Sequence, residues 1–277
     1  IKKINHEFSV PDTCIVGYNS IAFDDEFTRH TLFRNFLDPY AWHWQNNNTR
    51  WDILKVARFC YAHKEEDSLN WVITEKNRFS LQLEKIAPAN NIEHSNAHDA
   101  MADVRATIGI AKIIKQKQPV FFDYALSLNN KKTVKEKLKF FYPMLLTSQP
   151  FGSKCAFTKM VVAITTHPEY QDRAIVYSLD QDPEILVDEE ADELKKLVFS
   201  KKDDLPKGQD RLKLSEVVFN KSPMFVCSPN SDSFNISDSL IEKFQIDMAK
   251  CMKNLSTIQD KRALIEEKIQ SIYKKDS

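Results

Sequence analysis

Two short stretches carry residue types suited to hydrolytic chemistry. In "GYNSIAFDDEFTRH", Gly17 to His30, the adjacent carboxylates Asp24 and Asp25 follow closely on a short apolar run. In "EHSNAHDAMADVRATIGIAKI", Glu93 to Ile113, His98 precedes Asp103 by five positions where a helix begins. Carboxylates at the ends of strands and helices suit hard divalent cations such as Mg²⁺, which take oxygen ligands, keep several waters and are often shared with substrate phosphates. Two such ions can clamp the attacking and leaving oxygens of a phosphodiester, and a nearby histidine can take the proton of the attacking water. On one helix His98 and Asp103 would stand about 140° apart at 3.6 residues per turn. They converge only if His98 lies on the loop leading into the helix and Asp103 on its first turns. Met101 and Val104 are then expected to face the core and Asp103 a cleft. Taken alone, a His-x-x-x-x-Asp at a helix start is ordinarily a cap or a surface pair.

Alternating strands and helices are expected to position these groups. "TCIVGYN" reads as a short strand ending at Gly17, and "DDEFTRHTLFRNFL" as a helix. "TRWDILKVARFCYAH" reads as one mostly buried helix carrying Trp51, Leu54, Val56, Ala57, Phe59 and Cys60. "SLQLEKIAPANN" is a helix stopped near Pro88, and a long helix runs from about Ala97 to Lys117, bounded by Pro119, with Met101, Val104, Ile108, Ala111 and Ile113 or Ile114 as its apolar set. Beyond 118 the pattern turns β-rich: "CAFTKMVVAITTH", "RAIVYSL", "EILVD", "RLKLSEVVF" and "PMFVC" read as strands, interrupted by a helix near Glu190 to Phe199. A small barrel or sandwich fits these strands. One or two amphipathic helices close the chain, with Ser237 as N-cap. Two domains are expected, 1–118 and 119–277.

The bulk numbers narrow the function classes. The chain has 277 residues, 42% hydrophobic and 28% charged, with Lys plus Arg and Asp plus Glu at 39 each. Such a balance excludes a global basic field, so any nucleic-acid site must be a local patch. Five cysteines without C-x-x-C spacing read as reduced thiols rather than a disulfide frame or zinc site. The absence of a signal peptide or spanning apolar run makes a soluble, cytoplasmic protein the expectation, with no membrane partner. A monomer is expected.

Asn19-x-x-x-Phe23-Asp24 resembles the second motif of the DEDD exonucleases, and His98-x-x-x-x-Asp103 the third motif of their histidine-containing subclass. The longer stretches "NFLDPYAWHWQNNNTRWDILKVARFCYA" and "IEHSNAHDAMADVRATI", then "FDYALSLNNK" and "HPEYQDRAIVYSLD", are similar to the bacterial exodeoxyribonuclease I family. The resemblance covers most of the chain, strongly to about residue 135. It implies an α/β fold: a ribonuclease H-like DEDD exonuclease domain, its first strands missing, followed by an SH3-like β-barrel domain with C-terminal helices. It also implies a 3′→5′ exonuclease that degrades single-stranded DNA with two Mg²⁺, releasing 5′-mononucleotides, in DNA repair and recombination. Asp24 and Asp103 take the places of metal ligands and His98 that of the general base. Asp24 is favoured over Asp25, which on a strand would point the other way. Arg29, Tyr40, Trp44, Arg58 and Lys131 would line the DNA path; for Arg29 and Arg58 the alternative is an ordinary solvated helix residue. Tyr124 matches the aromatic of the site that binds the acidic tail of the single-stranded-DNA-binding protein.

The chain departs from the family in three places. The first motif, Asp-x-Glu on an opening strand, has no counterpart in a fitting place, which implies a truncated chain that is inactive by itself. Ala22 stands where an arginine is common. The stretch "SPNSDSFNISD", Ser228 to Asp238, lacks the arginine expected in the tail site. The competing reading is a non-catalytic module that grips single strands or a partner protein with a degenerate nuclease fold. RNA processing is a third, since no reader of the 2′-hydroxyl is identifiable.

Overall fold

The computed structural model describes residues 1–75, 79–94, 99–201, 204–205, 211–227 and 236–274. The chain divides into two compact units, Ile1–Val134 with Asn220–Met224, and Lys135–Phe219 with Phe225–Ser277.

In the first unit the elements run α1 (Lys2–Phe8), β1 (Cys14–Gly17), α2 (Asp24–Arg34), β2 (Thr49–Asp52), α3 (Ile53–His63), β3 (Val72–Ile73), β4 (Phe79–Ser80), α4 (Leu83–Ala89), α5 (Ala100–Lys117) and α6 (Pro119–Ser127), with α7 (Lys131–Lys137) at its border. Strands β1 and β2 pair in parallel, Cys14 opposite Thr49 and Gly17 opposite Asp52. The stretch expected as one buried helix is thus half strand. Asp52 makes the break: it takes extended φ/ψ, and its carboxylate accepts from Leu54 N at 3.0 Å, the N-cap that lets α3 begin at Ile53. Residues of both halves are buried, Trp51 on β2 and Val56, Ala57, Phe59 and Cys60 on α3.

Helix α5 is rotated from the expected face. Ala106, Thr107, Ile110 and Ile114 are buried, whereas Met101, Val104 and Ile108 are each about half exposed. Close approach explains the choice: a Cβ on Gly109 would meet the Ile92 side chain at 2.9 Å, so the small-residue side of the helix takes the crowded position. The first unit also runs past residue 118. Pro119 ends nothing but α5; it opens α6, where its missing N–H is harmless. Phe122 then packs edge-on to Trp51 and Phe121 against Phe59, so α6 shares the first unit's core.

The second unit holds β5 (Pro143–Thr147), β6 (Thr158–Thr166), β7 (Arg173–Ser178), α8 (Glu184–Asp188), α9 (Ala191–Phe199), β8 (Leu214–Val218), β9 (Met224–Cys227), α10 (Asp238–Phe244), α11 (Met248–Asp260) and α12 (Arg262–Tyr273). Its sheet has the order β8-β7-β6-β5-β9, antiparallel through β5, β6, β7 and β8. Helix α12 lays Ile265, Ile269 and Ile272 into the core, and it contacts β6, where Val162, Ala163 and Ile164 are buried. "EILVD" is helical rather than a strand, because Asp182 Oδ1 accepts from Glu184 N at 3.1 Å and starts a turn that buries Leu186. Ser237 caps α10 as expected, accepting from Leu240 N. Gln245 in the left-handed region (φ +55°) then breaks the run, and three terminal helices result. The five cysteines are all free. Among the described residues no helix is long and apolar enough to cross a membrane.

Asp52, 1% exposed, also accepts from Asn19 N at 2.8 Å, so one carboxylate serves a helix cap and the turn after β1. Loss of a cap costs about 0.5–2 kcal/mol and a buried donor left unpaired about 1–3 kcal/mol. Asp52→Ala is therefore expected to destabilise by about 1.5–5 kcal/mol on those grounds. Asp52→Asn, which keeps an acceptor, is expected to lose less. Urea unfolding of the three chains checks this; equal stabilities would remove Asp52 from the account.

Candidate active site

The second-motif loop is set by backbone before any catalytic side chain is placed. A Cβ on Gly17 would lie 2.6 Å from Ser20 Cβ, so β1 ends at a glycine because the chain folds back on itself there. Asn19 then takes the left-handed region (φ +60°), which asparagine tolerates better than most residues. Helix α2 starts five residues later with Asp24, Asp25 and Glu26 in its first turn, where carboxylates are favoured by the helix dipole.

Asp24 and Asp25 are thus helical neighbours, about 100° apart around the axis, not alternating strand residues. Asp24 is exposed and joins no ion pair among the described residues. Asp25 is 3% exposed and closely ion-paired with Arg50 Nη1. Burial pushes the Asp25 carboxyl up and the Arg50 guanidinium down, and each is opposed by the other's charge. The pair stays ionised, since a neutral Asp25 would strand a buried guanidinium that does not give up its proton. Arg50 also donates from Nε and Nη2 to Asn220 O at 3.4 and 3.3 Å, while Ser222 Oγ donates to Arg50 O at 2.8 Å. This fixture was missed in the sequence; its signal is an arginine inside the otherwise buried run of β2.

Asp103 lies in the first turn of α5, whose N-cap is Asp99, accepting from Ala102 N at 3.0 Å. It stands on the side continued by Ala106, Thr107, Ile110 and Ile114, not opposite them, and its side chain is 46% exposed. One oxygen, Oδ1, meets His94 Nε2 at 2.7 Å. His94 also went unrecognised; "EHSNAH" holds two histidines, and only the spacing of His98 matched a motif. His98 lies outside the described residues. Among the described residues, no three of His, Cys, Asp or Glu are grouped as a metal site. Asp24 and Asp103 supply oxygen donors, the ligand type that a hard divalent cation takes, and each leaves at least one oxygen open to it.

The aromatic segment sorts its rings by burial. Trp42, in a short 3₁₀ turn, is 3% exposed and donates from Nε1 to Pro39 O at 2.9 Å. Tyr40 and Trp44 are 56% and 59% exposed, open to stacking. The Arg29 guanidinium lies 5.3 Å from the Tyr40 ring centre and is ion-paired with Glu26. Lys131 is exposed at the start of α7. Tyr124 is half-buried on α6, its ring 6.4 Å from that of Phe59. Arg58 differs from expectation: it is 8% exposed, close to the charge of Asp52, and offers little surface to a strand.

His43 packs edge-on to Trp42, and neither ring nitrogen has a hydrogen-bond partner among the described residues. Burial, then the charges of Arg50 and Arg29, push its pKa down to about 4, against the pull of Asp38. A histidine depressed in the fold contributes stability in full above its unfolded pKa near 6.5, and loses it as pH falls toward the folded value. The parent is expected to lose about 2 kcal/mol more than a His43→Phe variant between pH 7.5 and 4.5. Urea titrations of both chains at the two pH values check it, and parallel losses would count against it.

Two family models match the chain: "Exonuclease" over residues 3–111 and "Exonuclease I SH3-like domain" over residues 129–275. The exodeoxyribonuclease I proteins of Haemophilus influenzae and Escherichia coli are each 37% identical over 273 residues. The alignments take in 98% of this chain but 56% of each relative, so the chain spans little more than half their length. The structure of E. coli exonuclease I with a dA16 oligonucleotide superposes with a TM-score of 0.90 at 36% identity, covering 100% of this chain and 58% of that one. The E. coli protein has also been solved in a zinc-bound complex with single-stranded DNA (TM-score 0.88, 36% identity, the same two coverages). A further complex is described as ExoI/SSB-Ct (TM-score 0.87, 35% identity, again 100% and 58%). With both of its parts matched by the family's models, this chain belongs to the exodeoxyribonuclease I family.

Proposed function

We propose that this chain is the section of a 3′→5′ single-stranded-DNA exonuclease that carries the second- and third-motif residues and the SH3-like domain. The observation that carries the reading is the pair of motif carboxylates, Asp24 and Asp103, each in the first turn of a helix and each with an open oxygen. Asp24 and Asp103 would hold divalent ions, Mg²⁺ in the whole enzyme, as the zinc-bound relative supports for a metal site. When bound, such ions polarise the phosphate and stabilise both the attacking and leaving oxygens. The chain's own residues do the rest. His98 takes the proton of the attacking water, Tyr40 and Trp44 stack bases, and Arg29 and Lys131 meet backbone phosphates. The released products are 5′-mononucleotides, and the whole protein serves DNA repair and recombination.

No Asp-x-Glu stands in a fitting place in the 277 residues, and two carboxylates hold metal more weakly than four. The 277-residue chain is expected to degrade 3′-labelled single strands in Mg²⁺ at a small fraction of a full-length relative's rate. In a full-length protein containing this section, Asp103→Asn is expected to abolish turnover with strand binding retained, and His98→Ala to slow it by about 10²–10⁴-fold. A gel assay of labelled strands reads both. Cleavage by the His98 variant at the parental rate would leave that histidine without its role.

A partner follows from the same family. The E. coli complex with SSB-Ct supports binding of the acidic tail of the single-stranded-DNA-binding protein, with Tyr124 as the aromatic contact. Residues 228–235, in the stretch where the arginine is expected, lie outside the described residues and contain no basic side chain. A lysine such as Lys221, Lys243 or Lys250 lacks the bidentate fork that suits a carboxylate. One charge-assisted bond fewer, about 1.5–3 kcal/mol, corresponds to roughly ten- to over a hundredfold in affinity. Weak, salt-sensitive tail binding is expected in a peptide titration at low and physiological salt. Submicromolar binding that survives physiological salt and Tyr124→Ala would place the site elsewhere.

A further inference from the structure

His94 is the strongest unassigned group near the proposed chemistry. Its side chain is 2% exposed, its Nε2 lies 2.7 Å from Asp103 Oδ1, and its Nδ1 is buried with no hydrogen-bond partner among the described residues. Any form with a proton on Nδ1 leaves that N–H buried and unpaired, which is costly. The form protonated only on Nδ1 also sets an Nε2 lone pair against a carboxylate oxygen. The remaining tautomer carries its proton on Nε2 and donates it to Oδ1. Which nitrogen is protonated is thus fixed by partners, as for histidines beside metal sites generally.

We propose that His94 is a positioning residue for Asp103: it binds Oδ1, fixes the carboxylate's rotation and leaves Oδ2 to the divalent ion. This rests on the exonuclease reading of Asp103. The geometry favours the role over a purely structural one because the partner oxygen belongs to a side chain that is 46% exposed. A donor meant only to satisfy a buried acceptor would have no acceptor here that needs it. Instead the buried partner is the histidine, and the solvent-facing one is the motif carboxylate. Fixing a carboxylate before the ion arrives reduces the ordering cost of binding, and loss of such outer partners commonly weakens metal affinity by 10–100-fold.

The test uses the 277-residue chain, Mn²⁺ as probe and two variants. Long-range ¹H–¹⁵N spectra of the imidazole are expected to show the Nε2–H tautomer. Calorimetric titration is expected to show Mn²⁺ affinity lowered about 10–100-fold in His94→Ala, and largely recovered in His94→Gln, whose amide N–H can donate. Thermal melts of both variants separate a loss of fold from a loss of positioning. An Nδ1–H tautomer overturns the proposal, as do equal Mn²⁺ affinities in the three chains, or failure of the parent to bind Mn²⁺ at all. If His94→Ala binds Mn²⁺ less well but Asp103→Asn binds it like the parent, the ligand reading of Asp103 fails and the positioning role falls with it; if Asp103→Asn alone loses the ion, only the positioning role fails.

Discussion

The buried ion pair between Arg50 and Asp25 sets the frame for the first unit. Its guanidinium reaches the first turn of α2 through Asp25 and the carbonyl of Asn220, while its own carbonyl takes the hydroxyl of Ser222. Removing one partner of a buried pair typically costs about 3–5 kcal/mol, because the other charge is left uncompensated. The pair therefore dictates where α2 begins, and Asp24, one residue earlier, inherits its exposed position from that anchor. Residues 220–223, between β8 and β9, meet the same part of the first unit a second time: Lys55 Nζ donates to Lys221 O at 2.5 Å. Burial lowers the Lys55 pKa to about 8.

Adjacent carboxylates thus have opposite duties. Asp25 is spent on structure and Asp24 is left in solvent, although both belong to one short acidic run. Asp103 stands between these extremes, half exposed with one oxygen engaged by His94. Asp52 is wholly structural, tying the turn after β1 to the cap of α3. Burial and backbone donors, rather than residue type, separate the four.

Much of this could be read from residue order. The strand before the glycine, the helix after the acidic run, the long helix ending before Pro119 and the strands β6, β7, β8 and β9 all follow local pattern. Trp42 turns inward while Tyr40 and Trp44 stay exposed because a short 3₁₀ turn, not strand alternation, places them. Two kinds of feature were not legible. Boundaries inside continuous apolar runs, such as Asp52 between β2 and α3, depend on a side chain reaching a particular N–H. "FYPMLLT" carries β5, which is not among the strands read from the pattern. The rotation of α5 depends on the shape of a neighbour: Ile92 against Gly109 outweighs the larger apolar stripe of Met101, Val104 and Ile108. Arg50 and His94 were missed because their partners lie 25 and 9 positions away, and no periodicity links such pairs.

Charge placement limits how the first unit could draw a polyanion. The chain is neutral, with 39 basic and 39 acidic side chains. Around α2 and α3 three of the four arginines are compensated from within, Arg29 by Glu26, Arg50 by Asp25, and Arg58 by the nearby charge of Asp52, while Arg34 is exposed with no ion pair among the described residues. Counterion release scales with the phosphates actually neutralised, so three arginines count for less than their number suggests. Tyr40 and Trp44 are each more than half exposed, and stacking contributes about 1–3 kcal/mol per base. In the exonuclease reading, grip near α2 rests more on those rings than on cations. Arg29, lying over the Tyr40 ring, then acts first by fixing the platform on which a base would stack.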